Sequence, residues 1–379
     1  MAELKYWIWF SNSVGNSRVQ ANELLENAGG DPAEIYKMNR ETLKANGVSA
    51  ELLNALSNKD LKAAEKEIKI AEKFNIRLLS RESEGYPGDL LATPDAPYVL
   101  YMRGTSDETG DGFLRIGIIG SRRASEYGLK VAYDLGYALA KRGVVVVSGL
   151  ATGIDSEAHR GAVEANGKTM AVLGCGVNLV YPADNSQIMV DVMKHGQVIS
   201  EFPFDTPPYK WNFPQRNRII SGLCHGIVVV EAEEVSGTSI TASHALEQGK
   251  ELFAVPGSIY SPTSVGTNRL IRNGATPVTC VNDILEVFEG FELTREEPEF
   301  IAEVKAEPVV YEVQSDDEEV MPEQVILQAI RTEALTVDEI SAKTGIPLPQ
   351  ASGIMTVMEI SGLVDAVPGH KYIKTSKIR

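Results

Sequence analysis

Residues 115–128 read RIGIIGSRRASEYG. The apolar run 116–119 fits a buried strand, and Gly120 opens a turn where a phosphate-cradling loop would start. The turn then departs from the familiar patterns. Ser121, Arg122 and Arg123 follow, with neither G-x-G-x-x-G nor Gly-Lys-Thr. After the turn, Val131, Leu135, Ala138 and Leu139 share one helix face and Gly143 stops that helix.

Outward from this unit, residues 112–288 alternate short apolar runs with helical patterns. Strands are predicted at 114–119, 143–148, 169–174, 197–200, 226–231, 251–255 and 275–279. Repeated strand–helix–strand units predict an α/β fold, a doubly wound, Rossmann-like, mostly parallel sheet. Ligands of such sheets bind beyond the carboxyl ends of the strands.

Four loops fall at those ends. They are 120–123, SGLATGID at 148–155, FPQRNRIISG at 213–222 and SGTSITA at 236–242. They offer hydroxyls, helix-start amides and the cations Arg122, Arg216 and Arg218. Amides at a helix start attract anions, and arginine grips phosphate bidentately. The rim therefore reads as a phosphate site. A dinucleotide would call for an acidic residue at the end of the second strand, where Val147, Ser148 and Gly149 stand.

Catalysis finds less support. Asp155 and His159 are spaced to meet on one helix face, but Asp155 reads as a cap with His159 packed behind it. Glu231 follows an apolar strand, where it serves equally as a base or as the partner of an arginine. Three well-separated cysteines give no disulfide frame and no metal knuckle, and neither metal nor cofactor is expected.

The flanks differ in character. Residues 1–78 read as a small helical domain of helix-hairpin-helix or SAM-like type, with VQANELLENAG and NRETLKANGVSAELLNAL as helices broken at glycine. Residues 79–111, rich in turn signals, read as a connecting stretch lying on the 79–288 domain. Residues 289–323 carry 13 Asp+Glu against 2 Lys+Arg and read as an acidic linker. They hold −11 of the chain's net charge of −16. The 112–288 region is near neutral, with 15 Lys+Arg and 16 Asp+Glu. Residues 324–379 read as a winged helix, with Thr336 and Glu339 as a capping box and Gly345 as a stop. Its candidate recognition helix, 347–361, has no Lys or Arg, which predicts a module that contacts protein, or assists DNA binding only weakly, rather than a duplex reader. No membrane span or signal peptide is predicted, and a cytoplasmic location is expected.

Seven stretches carry a resemblance. IGIIGSRRASEYG, VVVSGLATGIDSEAH, TMAVLGCGVNLVYPADN, ISEFPF, FPQRNRIISGL, VVVEAEEVSGTSITASHALEQGKELFAVPG and GTNRLIRNGA resemble, in this order, the DNA-processing protein DprA (Smf) family. The resemblance implies a non-catalytic, homodimeric binder of single-stranded DNA. Such a protein protects incoming strands in natural transformation and helps load a RecA-type recombinase. It implies DNA contacts at Gly120, Ser121 and Arg122 of the first turn, with Arg123 beside them. It implies further contacts at Arg216, Asn217 and Arg218, at Gly237, Thr238 and Ser239, and, more weakly, at Lys210; Gly149 belongs to the same rim. Aromatics for base stacking are few, mainly Tyr127, Tyr181, Trp211 and Phe213. Two alternatives stand beside this reading. One is a nucleotide hydrolase of the lysine-decarboxylase-like group, although Thr241 stands where its P-G-G-x-G-T-x-x-E pattern has the catalytic Glu. The other is a protein adaptor with a vestigial pocket.

Overall fold

The computed structural model describes residues 2–374 except 16, 105–110, 235–236, 292, 294–325, 328, 331–333, 361–362 and 368–370. The chain forms two compact units, 1–304 and 305–379. Most of the segment expected as an acidic linker lies outside the described residues.

The first unit begins with helices α1 (Leu4–Val14), α2 (Arg18–Asn27), α3 (Pro32–Lys37), α4 (Arg40–Ala45), α5 (Ala50–Ser57) and α6 (Lys62–Lys73). Their starts follow from short polar side chains. Asp31, Asn39 and Ser49 accept from backbone amides in the first turns of α3, α4 and α5. Gly29 and Gly47 take positive φ just beyond α2 and α4, as glycine does most readily. Trp7, Ile8, Trp9 and Phe10 of α1 are buried.

The sheet comes next. β1 (Arg77–Ser80), α7 (Gly88–Leu91) and β2 (Val99–Gly104) lead into β3 (Arg115–Ile119) and α8 (Glu126–Lys141). Then follow β4 (Val145–Ser148), α9 (Ile154–Glu164), β5 (Thr169–Val172), α10 (Ser186–His195) and β6 (Gly196–Ser200). The return half is α11 (Asn212–Leu223), β7 (Gly226–Val229), α12 (Gly237–Glu247), β8 (Glu251–Ala254), α13 (Val265–Arg272) and β9 (Thr276–Pro277). Among the described residues the strand order is β1-β2-β6-β5-β4-β3-β7-β8-β9. From β6 to β9 all pairs are parallel, as expected for a doubly wound fold. β3 to β6 build one half outward, and the chain then returns to lay β7 against the other side of β3. That reversal, between β3 and β7, is the topological switch point. Apolar side chains from both sheet faces form two separate cores, one against α11 and α12, the other against α8 and α9.

The reading of 79–111 as a connection is corrected. β2 pairs antiparallel with β6, and β1 with β2, so this stretch extends the sheet by two strands. Val99 to Met102 are buried, which explains why an apolar run stands between turn residues. The boundary expected at residue 78 falls inside β1. Trp9, Phe10, Leu24 and Leu56 of the helices share one core with Tyr98, Val99 and Tyr101, so helices and sheet edge are continuous.

In the second unit, β10 (Leu335–Thr336), β11 (Val364–Val367) and β12 (Lys371–Lys374) form a small antiparallel sheet ordered β10-β12-β11. Helices Val337–Thr344 and Leu348–Ile360 pack on it. The capping box forms as expected. Glu339 N donates to Thr336 Oγ1 (3.2 Å) and Thr336 N to Glu339 Oε2 (2.8 Å). Gly345 ends the first of these helices in the left-handed region.

Candidate nucleic-acid interface

Parallel geometry brings the carboxyl ends of β3, β4 and β7 to one rim. There the loop after β3, the start of α11 and the first turn of α12 enclose a cavity of about 710 Å³. Of the sequence-predicted residues, Gly120, Ser121, Arg122, Arg123, Lys210, Arg216, Asn217, Gly237 and Thr238 line it. Of the four aromatics expected there, Tyr181 and Phe213 also line it, whereas Tyr127, whose hydroxyl donates to Pro256 O (3.2 Å), and Trp211 do not.

The arginine-bearing turn is built by close packing. A Cβ on Gly120 would stand 2.6 Å from Ile154 Cγ1 and 3.0 Å from Glu231 O. Only glycine lets β3 hand over to the turn so near α9 and the chain after β7. Ser121 N donates to Glu231 O (2.9 Å), and Arg123 N to Ser121 Oγ (3.0 Å). This fixes the backbone and leaves Arg122 and Arg123 exposed. The Arg122 guanidinium sits 5.1 Å from the Phe213 ring centroid, a cation–π distance.

The start of α8, expected to offer amides to an anion, is already occupied. The Glu231 carboxylate accepts from Ser125 N (2.9 Å), Ser125 Oγ and Thr263 Oγ1 (2.9 Å), while Ser125 Oγ caps Gly128 N (3.1 Å). Glu231 is therefore a bracket between two loops. The first turn of α12 does face the cavity through Gly237, Thr238 and Thr241, and its positive dipole end suits an anion.

Arg216 is buried beneath the cavity. Its Nη1 donates to Gly149 O (2.6 Å) and Val172 O, and Nε to Asn217 Oδ1 (3.2 Å). A Cβ on Gly149 would strike this guanidinium, so Gly149 makes room for it rather than lining the cavity. Burial lowers Arg216 to about 10, opposed by Asp155, so it stays cationic at neutral pH. Asp155 accepts from Gly149 N (3.2 Å) and Ala151 N (3.4 Å) and braces the loop after β4. Burial raises its carboxyl, opposed by Arg216 and those amides. His159 does not join it. His159 is buried with Nδ1 2.7 Å from Thr169 Oγ1.

Arg218 lies apart from the cavity. It pairs with Glu201 and Asp95, and Glu201 also takes Arg18 of α2. The backbone of Ser239 is in α12, while its side chain lies outside the described residues. Glu233, and Thr241 within the 236–242 loop, also line the cavity without having been singled out by sequence. The one signal available was their position in the loop and helix after β7. Among the described residues no group of three or more His, Cys, Asp or Glu is placed to hold a metal ion.

Two family models match the chain: DNA recombination-mediator protein A over residues 77–289 and the DprA winged helix domain over 312–370. Protein Smf of Escherichia coli is 38% identical over 300 residues, covering 79% of this chain and 77% of that protein. The X-ray structure of DNA processing protein A from Streptococcus pneumoniae aligns with TM-score 0.67 and 33% identity, over 76% of this chain and 99% of that one. DNA processing protein A of Helicobacter pylori, solved to explain its single-stranded DNA binding mode, aligns with TM-score 0.51 and 29% identity. That alignment covers 56% of this chain and 95% of the other.

Proposed function

The chain belongs to the DNA recombination-mediator protein A (DprA) family, and from that premise we propose that it binds single-stranded DNA in the switch-point cavity. The observation that carries this reading is the convergence of Arg122, Arg123, Lys210 and Arg216 on one cavity. Its anionic counterparts are fewer. Asp155 is spent on the loop after β4, and Glu233 remains at the rim.

The cations divide the work. Arg216 is immobilised under the floor, where its charge costs no reorganisation when phosphate arrives. Arg122 and Arg123 project from a fixed turn and Lys210 lines the same cavity, so the three can follow an extended backbone. Phosphate contacts carry no base information, so sequence preference is slight. The Phe213 ring lines the same cavity, with the Arg122 and Arg216 guanidiniums 5.1 and 5.9 Å from its centroid. The aromatic Tyr181 lies beside it, 5.7 Å from Phe213.

The protein acts by binding rather than by bond chemistry. Glu231, which follows the apolar strand β7, accepts three hydrogen bonds inside the fold. Thr241 occupies the place a hydrolase of the rival group gives to its glutamate. As a recombination mediator, the chain protects strands entering a cytoplasmic recombination pathway and hands them to a RecA-type recombinase. It does so as a homodimer, in which two cavities on near-neutral domains supply together the affinity that one lacks. Titration of oligo-dT against a duplex of equal length, at two salt concentrations, tests the binding reading. Sedimentation with and without a recombinase filament tests the partner reading.

A further inference from the structure

Beside the cavity, Tyr209 and Trp211 stack on one another with ring centroids 4.6 Å apart and planes within 11°. Both stay wet: Trp211 is 63% exposed and Tyr209 44%. A lone exposed aromatic needs no explanation. A parallel pair held rigid at the rim of a cationic cavity is a different object. Pro207 and Pro208 stiffen the approach. Tyr209 N donates to Pro207 O (2.8 Å) and Asn212 N to Tyr209 O (3.0 Å). The buried Asn212 side chain donates to Gly174 O (2.9 Å) and Pro207 O (3.3 Å), which anchors the segment to the chain after β5. Lys210, between the two rings in sequence, lines the cavity itself.

We propose that the Tyr209–Trp211 stack is a nucleobase platform, taking the base next to a nucleotide whose phosphate lies in the cavity. The inference rests on the single-strand reading above and adds a second contact class outside the cavity. Each ring covers one face of its neighbour, and the exposure of Trp211 leaves indole surface for a third planar partner. A base removes that surface from water, and any base serves, since every base has a π face. The adjacent Lys210 charge favours a polyanion over an apolar peptide as the occupant.

Tryptophan emission tests this directly. The chain has three tryptophans, and Trp7 and Trp9 are buried in the N-terminal core, so Trp211 is the exposed reporter. Saturating oligo-dT is expected to quench its emission. An abasic oligomer of equal length, bound through phosphates alone, leaves the emission unchanged. Trp211→Ala should weaken oligo-dT binding about fivefold or more, Trp211→Phe should restore most of it, and both should bind the abasic oligomer like the parent. Oligo-dT that binds the parent without quenching, together with unaltered affinity in Trp211→Ala, overturns the platform while leaving the single-strand reading intact. Absence of any oligo-dT binding by the parent overturns both. Quenching that depends on protein concentration without DNA, and vanishes in Trp211→Phe, makes the stack a contact between copies and overturns the proposal.

Discussion

Arg216 and Arg218 stand two positions apart on α11 and turn their guanidiniums into different surroundings. Arg216 donates to Gly149 O and Val172 O under the cavity. Arg218 pairs with Glu201 and Asp95 and, through Glu201, joins Arg18 of the N-terminal helices. Two residues on a helix are about 200° apart around its axis, so one motif serves two tasks. The first is a charge beneath the site, the second a strut between the helices and the sheet.

Arg218→Ala should therefore act on stability. Removing Arg218 leaves Glu201 with Arg18 as its remaining partner, so the loss stays below the about 3–5 kcal/mol of a buried charge left wholly unpaired. Thermal unfolding should show a clear drop. The folded protein should bind oligo-dT within about threefold of the parent. A stable Arg218→Ala protein with severely weakened binding would return this residue to the DNA contacts.

Glu231→Gln should likewise destabilise rather than abolish turnover. An amide replaces one of the acceptors for Ser125 and Thr263, at about 1–3 kcal/mol. Incubation with nucleoside monophosphates should release no free base from parent or variant. Release by the parent that the variant lacks would favour the hydrolase alternative.

His159 sets an acid limit on the fold. Thr169 Oγ1 donates to Val146 O (2.8 Å), so it accepts from His159 Nδ1–H, and the buried Nε2 finds no partner among the described residues. Protonating Nε2 would bury an unpaired charge, and burial lowers the ring to about 3 from an ordinary 6.5. The unfolded chain therefore takes up a proton below 6.5 that the folded chain refuses until about 3. Stability falls as pH drops through this window. Thermal midpoints measured between pH 7 and 4 should decline more steeply in the parent than in His159→Gln. Equal slopes would show that His159 is not the group responsible.

The winged unit contributes little to short-strand affinity on this account. Its helix Leu348–Ile360 carries no Lys or Arg, so it lacks the phosphate attraction that drives non-specific binding. Deleting 305–379 should leave oligo-dT affinity within about tenfold, or 1.4 kcal/mol. A far larger loss in a folded truncation would make the unit a DNA-binding element.

The parallel core was legible because its strands are short apolar runs closed by glycine or a polar turn, and hydrophobic period reports that pattern well. β1 and β2 were not, since Pro94 and Pro97 dominate the stretch between them and the buried run 98–102 is short. In the site, Gly120 and the two arginines after it were legible as a turn bearing cations. The opposite directions of Arg216 and Arg218 were not, because sequence spacing gives the angle between two side chains but not which of them meets a carboxylate 17 residues away in the chain. The closing of the α8 start by Glu231 was hidden for the same reason: it joins residues 106 positions apart.

On the proposed reading, exposed cations at the switch point hold the phosphates of a single strand. The slope of log affinity against log salt for oligo-dT, compared between the parent and Arg122→Ala, tests it most directly. The single strand should bind more tightly than a duplex, and the lost phosphate contact should flatten the variant's slope by about 0.7. A parent that does not bind oligo-dT at low salt, or a variant whose slope and affinity match the parent's, would contradict it.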